Sequence, residues 1–227
     1  VHQGDRTMRQ QHKRIAMTSL QRCAYLLVTL FITLACGATA FAQQRMPPIA
    51  DDQQTEAQRK VVADVVSGPR GRLSPPFVPL LRSPELLSRM QRVGEYLIYH
   101  NSLNPRIFEL SVLLVARHWT QQFEWRYHYP LALKAGVKQE SIDAIAEGRR
   151  PAALTDDETI AYDFVTELLV NRSVSDASYA RLRDKFGEQS LIDLVGSVGF
   201  YTSIAMVANV DRTPIPDNTI PLLKPLP

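Results

Sequence analysis

Cysteine is nearly absent from this sequence. Two occur in 227 residues, Cys23 and Cys36, and both precede residue 43. From Gln43 onward the chain has no disulfide, no thiol nucleophile and no thiolate metal site. Dithiol peroxidases and cysteine hydrolases are excluded for that part of the chain. Glycine is also sparse, with ten residues, and none of them builds a Gly-rich phosphate loop. No run alternates apolar and polar residues as a half-buried strand does, and no internal repeat is present. Histidine is scarce as well. After residue 42 there are only His100, His118 and His128.

A one-sided charge is missing too. The formal net charge is +3, but the excess sits at the N-terminal end, in Arg6, Arg9, Lys13, Arg14 and Arg22. The remainder is close to neutral and has no concentrated basic surface, so no nucleic-acid partner is expected. Residues 1–42 read as a signal peptide. Lys13, Arg14 and Arg22 precede an apolar stretch from Cys23 to about Leu34, and Ala40-Phe41-Ala42 forms a small-residue cleavage pattern. The stretch is short against the roughly 20 residues of a membrane span. Cleavage near Ala42 is expected, with export to the periplasm or beyond and no stable span afterwards. A retained N-terminal anchor is the alternative.

Beyond the leader, residues 43–74 read as a flexible segment and loop, polar and mobile over 43–60 and with one short helix expected at the apolar patch Val61 to Val66, and residues 213–227 read as a Pro-rich extended tail. Residues 75–212 read as helix after helix. Ser83-Pro84-Glu85 and Asn104-Pro105 are start signals with Pro at the first helical position. Leu86, Met90, Val93 and Leu97 keep helical spacing, as do Ile107, Leu110, Leu113 and Leu114. Helices are predicted over about 121–135, ended by Gly136, and over 138–147, ended by Gly148. Thr155-Asp156-Asp157-Glu158 is a capping box for a helix to about Val170. Ser175 opens another that ends at Gly187, and the last runs over about 189–210 with Leu191, Leu194, Val195, Val198, Tyr201 and Ile204 at core spacing. The fold class is all-α, and about 185 residues suffice for one core.

The residues with chemistry cluster in His118-Trp119-Thr120-Gln121-Gln122-Phe123-Glu124-Trp125-Arg126-Tyr127-His128. Glu124 and His128 are four apart and share a helix face. A carboxylate beside an imidazole holds its tautomer and raises its pKa, which suits general acid/base work. Glu-x-x-x-His on a solvated face is the bland alternative. Phe123, Trp125, Tyr127 and Tyr129 argue against full exposure. Pro130 cannot donate to the carbonyl of Arg126, so the helix is expected to kink or open near His128. Glu109 stands among apolar residues and needs a partner if buried; an edge position in water is its alternative.

The run from Glu109 to His128, followed by Ala-Gly-Val before another helix, resembles the carboxymuconolactone decarboxylase family, which includes the alkylhydroperoxidase D branch. The resemblance extends over about residues 75–210. It implies a compact all-α domain of the alkylhydroperoxidase D-like type, assembled as a trimer or hexamer with sites near subunit contacts. The peroxidase branch uses Cys-x-x-Cys with a relay Glu and His. Here Gln121 and Glu124 stand at the cysteine positions, Glu109 at the relay glutamate and His128 at the relay histidine. Thiol peroxidase activity is therefore excluded, and the decarboxylase-like branch is similar.

The implied reaction is decarboxylation of an unsaturated lactone carboxylic acid, with no cofactor and no metal. His128 would donate the proton, Glu124 would orient and charge it, and Glu109 would act as a second relay carboxylate. Arg70, Arg72, Arg117 or Arg126 would grip the substrate carboxylate. The loop pair Arg70/Arg72 is preferred, because Gly68 and Gly71 let backbone approach a ligand. Trp125 and His118 complete the candidate substrate contacts. His118 also competes with His128 for the acid/base role, or is a structural histidine near a helix end. Other readings stay open: a related lyase or isomerase on another carboxylated molecule, a non-catalytic scaffold, or a metal site drawn from His128, Glu124, Glu109 and His118.

Overall fold

The structure is a computed structural model, and it describes residues 43–217 and 219–226. The leader reading of residues 1–42 lies outside the described residues. Seven helices follow in order: α1 Glu56–Ser67, α2 Pro84–Tyr99, α3 Pro105–His118, α4 Gln122–Lys134, α5 Gln139–Ala146, α6 Asp156–Asn171 and α7 Asp176–Asp211. Short 3-10 turns at Pro75–Phe77 and Pro79–Arg82 lead into α2. No strand occurs among the described residues, so the class is all-α.

The ends follow local chemistry. Thr155 and Glu158 form the expected capping box on α6. Thr55 and Gln58 form a second one on α1, within a stretch read from sequence as flexible. The Asn104 side chain caps α3 by accepting from the Arg106 N–H at 2.9 Å, whereas the Ser83 side chain makes no cap bond on α2. Helix α4 runs unbroken through Pro130. The expected opening near His128 does not occur: the helix gives up one backbone bond at Pro130 and continues to Lys134. Helix α7 is two helices meeting at Gly187, whose φ of 82° and ψ of 166° are non-helical.

Helix α3 is the centre of the domain and packs against α4, α5, α6 and α7. It is therefore buried nearly all round, from Ile107 to Arg117, with Glu109 the main interruption. The buried stripe of α2 is Leu87, Gln91, Gly94 and Leu97. The expected Leu86 and Val93 face outward instead, at 47% and 51% exposure. Gly94 explains this register: the Phe200 ring of α7 lies where a β-carbon would stand. By length and composition α7 could cross a membrane. It carries Leu194, Ile204, Ala205 and Ala208 in the core, as the central helix of a packed bundle does.

Both flanking segments are tied down. The wholly buried Asp211 at the end of α7 accepts from Met46 N–H at 2.8 Å, Gln44 Nε2 at 2.9 Å and Thr213 Oγ1 at 2.9 Å. The tail is held by Gln122, which bonds the Leu223 carbonyl and N–H at 2.8 and 2.9 Å, and by Arg117, which donates to the Lys224 carbonyl at 2.8 Å. Replacing Asp211 by Ala should cost about 2–4 kcal/mol, because it removes the shared acceptor of one buried and two half-buried donors. A fall in urea midpoint with unchanged slope checks this, and an unshifted midpoint refutes it.

Candidate active site

The site is made by the turn joining α3 to α4. Trp119, Thr120 and Gln121 donate backbone N–H groups to Val115, Arg117 and Ala116 carbonyls. Thr120 sits in the left-handed region with φ of 46°. This is a Schellman-type stop with a β-branched residue where glycine is usual, and that conformation is costly. Arg117 Nη2 holds the Thr120 hydroxyl at 2.7 Å. The Gln121 side chain then caps α4 by accepting the Glu124 N–H at 2.9 Å. The turn sets α4 against α3 so that His128 meets a carboxylate nineteen positions earlier in the chain.

His128 lies between two carboxylates. Its Nδ1 is 2.7 Å from Glu109 Oε2, and its Nε2 is 3.4 Å from Glu124 Oε2. The three side chains are 7%, 12% and 6% exposed. Burial disfavours the charged ring, but hydrogen bonds and charges from Glu109 and Glu124 outweigh it and raise the pKa from 6.5 to about 9. At neutral pH the ring is an imidazolium. The geometry reverses one expectation: Glu109, at the shorter distance, orients the ring, and Glu124 is the looser partner.

The triad forms part of the wall of a cavity of about 300 Å³. Phe77, Phe108, Phe123, Tyr127, Phe200 and Tyr201 give it an aromatic lining. Arg70 and Arg72 enter from the loop before α2, where Gly71 N–H closes a turn on the Gly68 carbonyl at 3.1 Å. The Arg70 guanidinium packs over Phe77 at 4.6 Å. Its Nε and Nη2 are buried and have no hydrogen-bond partner among the described residues. Donors left in this way need an acceptor, and a substrate carboxylate or carbonyl would supply one.

The other expected contacts lie elsewhere. Trp125 is 2% exposed and packs edge-on against Tyr129, on the core side of α4. Arg126 donates to the Pro216 carbonyl. Arg117 is 5% exposed and holds the Ala146 and Lys224 carbonyls. His118 lines a separate depression with Arg117, Gly148 and Leu226, and burial lowers its pKa. These four face away from the cavity because the opposite side of the α3–α4 hairpin carries the tail. The metal set that included His118 does not assemble, and no group of three possible ligands is placed for a metal among the described residues. Tyr201, read from sequence only as a core position, is in the cavity wall with its ring 5.1 Å from His128 and nearly perpendicular to it. Helical spacing alone could not separate it from its apolar neighbours.

An all-α domain with a buried Glu-His-Glu triad and no thiols is the class these features define. Residues 84–167 match the sequence profile of the carboxymuconolactone decarboxylase family. A similar solved structure is a protein of unknown function from Agrobacterium tumefaciens, named as a candidate antioxidant defence protein AhpD. The TM-score is 0.54 at 17% identity, over 60% of this chain and 94% of that one. That likeness shows the alkylhydroperoxidase D-like fold. No curated protein matches the chain significantly.

The triad makes a titration testable. An NMR titration of the His128 ring should give a midpoint near 9, and Glu109→Gln should lower it by more than one unit. Because the folded value is raised, the triad's stabilisation is fully present below about pH 6.5 and is lost as pH rises through 9. A wild-type midpoint at or below 6.5 would refute the paired geometry.

Proposed function

We propose that this protein is a cofactor-free carboxy-lyase that removes CO2 from an unsaturated lactone carboxylic acid, with His128 as proton donor. One observation carries the reading: a charged imidazole held between Glu109 and Glu124 in the wall of an aromatic cavity that also presents unpartnered Arg70 donors. The aromatic walls suit a planar conjugated ring, and Arg70 suits its anionic group. Arg72, exposed at the same loop, adds charge at the rim.

When the carboxylate leaves as CO2, the electron pair of the broken C–C bond moves into the conjugated carbonyl system. That system needs no metal to accept it. A ring carbon must then be protonated. His128 is protonated at neutral pH and is positioned by Glu109 through Nδ1, which leaves Nε2–H for transfer. Glu124 lies beside Nε2 and can return a proton to the ring from solvent.

Convergence of all three groups on one cavity supports an enzyme over a scaffold that has kept only the fold. The same triad would also serve an isomerase that moves a proton between carbons of a related acid, and product analysis separates the two. Export remains part of the proposal on the strength of the leader pattern. A homo-oligomer is supported by the exposed apolar residues Ile192, Val195, Met206 and Val210 along α7.

His128→Ala should lower kcat at least about 100-fold, followed as CO2 release and loss of lactone absorbance. Arg70→Ala should act mainly on KM. In wild type kcat should fall as pH rises past about 9. Full activity in His128→Ala would remove the assignment.

A further inference from the structure

Beside Arg70, a second polar group in the cavity wall has no hydrogen-bond partner among the described residues. Tyr201 is 4% exposed. Its ring stands edge-on to His128 at 5.1 Å, to Phe200 at 5.3 Å and to Phe108 at 5.8 Å, which fixes its plane. It lines the same cavity as Arg70, Glu109, Glu124 and His128. Its hydroxyl has no hydrogen bond to another described residue, and its oxygen is not one of the fully enclosed unpartnered atoms, so it keeps access to the cavity. A buried tyrosine usually finds a partner for its O–H, and one left without is a site for a ligand atom. Burial and the nearby charges of Glu124 and Glu109 hold this phenol well above its ordinary range, so it stays a neutral donor. Arg70 is close enough for its charge to act on the phenol in the opposite sense.

We infer that the Tyr201 hydroxyl, backed by Arg70, donates to the substrate carbonyl oxygen on which negative charge collects after CO2 leaves. The inference rests on the decarboxylation reading for its reaction. The C–C bond to the carboxylate breaks, CO2 departs, and the electron pair passes through the adjacent double bond to the carbonyl oxygen. The pair then returns to carbon as His128 delivers its proton, and the carbonyl is restored. A proton from solvent recharges His128.

The alternative use of the Tyr201 hydroxyl, on the departing carboxylate that Arg70 binds, adds nothing to the rate. Charge leaves that group in the transition state, so donors there stabilise the substrate more than the transition state. A donor on the carbonyl oxygen gains strength as charge arrives. The ring contacts also put donor and proton source at neighbouring points of one wall, so both can reach the same small ring. The site therefore takes acids whose carboxylate sits on the saturated carbon next to a double bond conjugated to a ring carbonyl, and it gives no help to fully saturated acids.

Tyr201→Phe tests this. In the decarboxylation assay kcat should fall at least about tenfold with KM little changed, while the limb near pH 9 set by His128 stays in place. Thermal stability should hold or rise, because an unpartnered buried hydroxyl has been removed. A lower melting temperature with unchanged kcat marks a structural residue and overturns the inference. Binding of 4-nitrophenol provides a readout independent of turnover. Wild type should bind it as the phenolate, seen by absorbance, at least tenfold more tightly than Tyr201→Phe does, while 4-nitrotoluene binds both equally. Equal phenolate binding by the two proteins, or none by wild type, overturns the oxygen-donor role. Selective phenolate binding without turnover of any lactone acid supports the donor site and removes the lyase reading alone.

Discussion

The His128 imidazolium depends on two carboxylates for its charge, and much of the domain is arranged to keep those carboxylates beside it. A lone charged ring at this depth would lose its proton, because burial works against the charge. Glu109 at 2.7 Å and Glu124 at 3.4 Å reverse the balance. Glu124 comes with His128 on one helix at no topological cost. Glu109 does not. It is held on the central helix α3, and only the left-handed turn at Thr120 brings it to the ring. Arg117, which fastens that turn through the Thr120 hydroxyl, also fastens the C-terminal tail. The tail in turn grips Gln122 in the first turn of α4. Structural and chemical residues therefore alternate along α4: Gln122 and Arg126 face the tail, Trp125 faces the core, and Glu124 and His128 face the cavity.

This alternation explains what could be read from the sequence. Helix starts were visible because Asn104, Thr155 and Ser175 use their side chains as caps. Stops were visible at Gly136 and Gly187, which have positive φ. The Glu124/His128 pair was visible because helical spacing alone fixes it. Glu109 was visible because a carboxylate in an apolar run is an anomaly, and its family position agreed. The roles of arginines were not visible. Arg70, Arg117 and Arg126 carry the same side chain, and only tertiary contacts decide which one meets a ligand and which ones hold backbone carbonyls. The N-terminal segment was misread as flexible for a similar reason. Its anchor, Asp211, lies more than 160 residues away.

Gln121 and Glu124 show how the fold accommodates the loss of thiols. A dithiol at these positions would sit in the first turn of a helix, where unpaired N–H groups favour thiolates. Gln121 instead satisfies one of those N–H groups directly. Glu124 places a carboxylate where the helix dipole favours negative charge and within reach of His128. The same helix end that would stabilise a thiolate thus stabilises a carboxylate beside His128.

Under the proposed decarboxylation, charge balance constrains how an anionic substrate is handled. The two carboxylates and the imidazolium together carry one negative charge, and Arg70 neutralises it within the cavity. An entering carboxylate restores a single negative charge. Loss of CO2 conserves that charge but moves it from a rotatable group into the ring. When His128 gives up its proton, the charge passes back to the two glutamates, now without the imidazolium between them. This last state is the least favourable for the protein. Arg70 and the neutral Tyr201 hydroxyl are the groups in the wall that oppose it, and Glu124, beside Nε2, can pass the replacement proton to the ring. The acid is strong enough to act because its deprotonated form is not so penalised that the proton stays on the ring. Its pKa near 9 reflects that compromise between two carboxylates and deep burial.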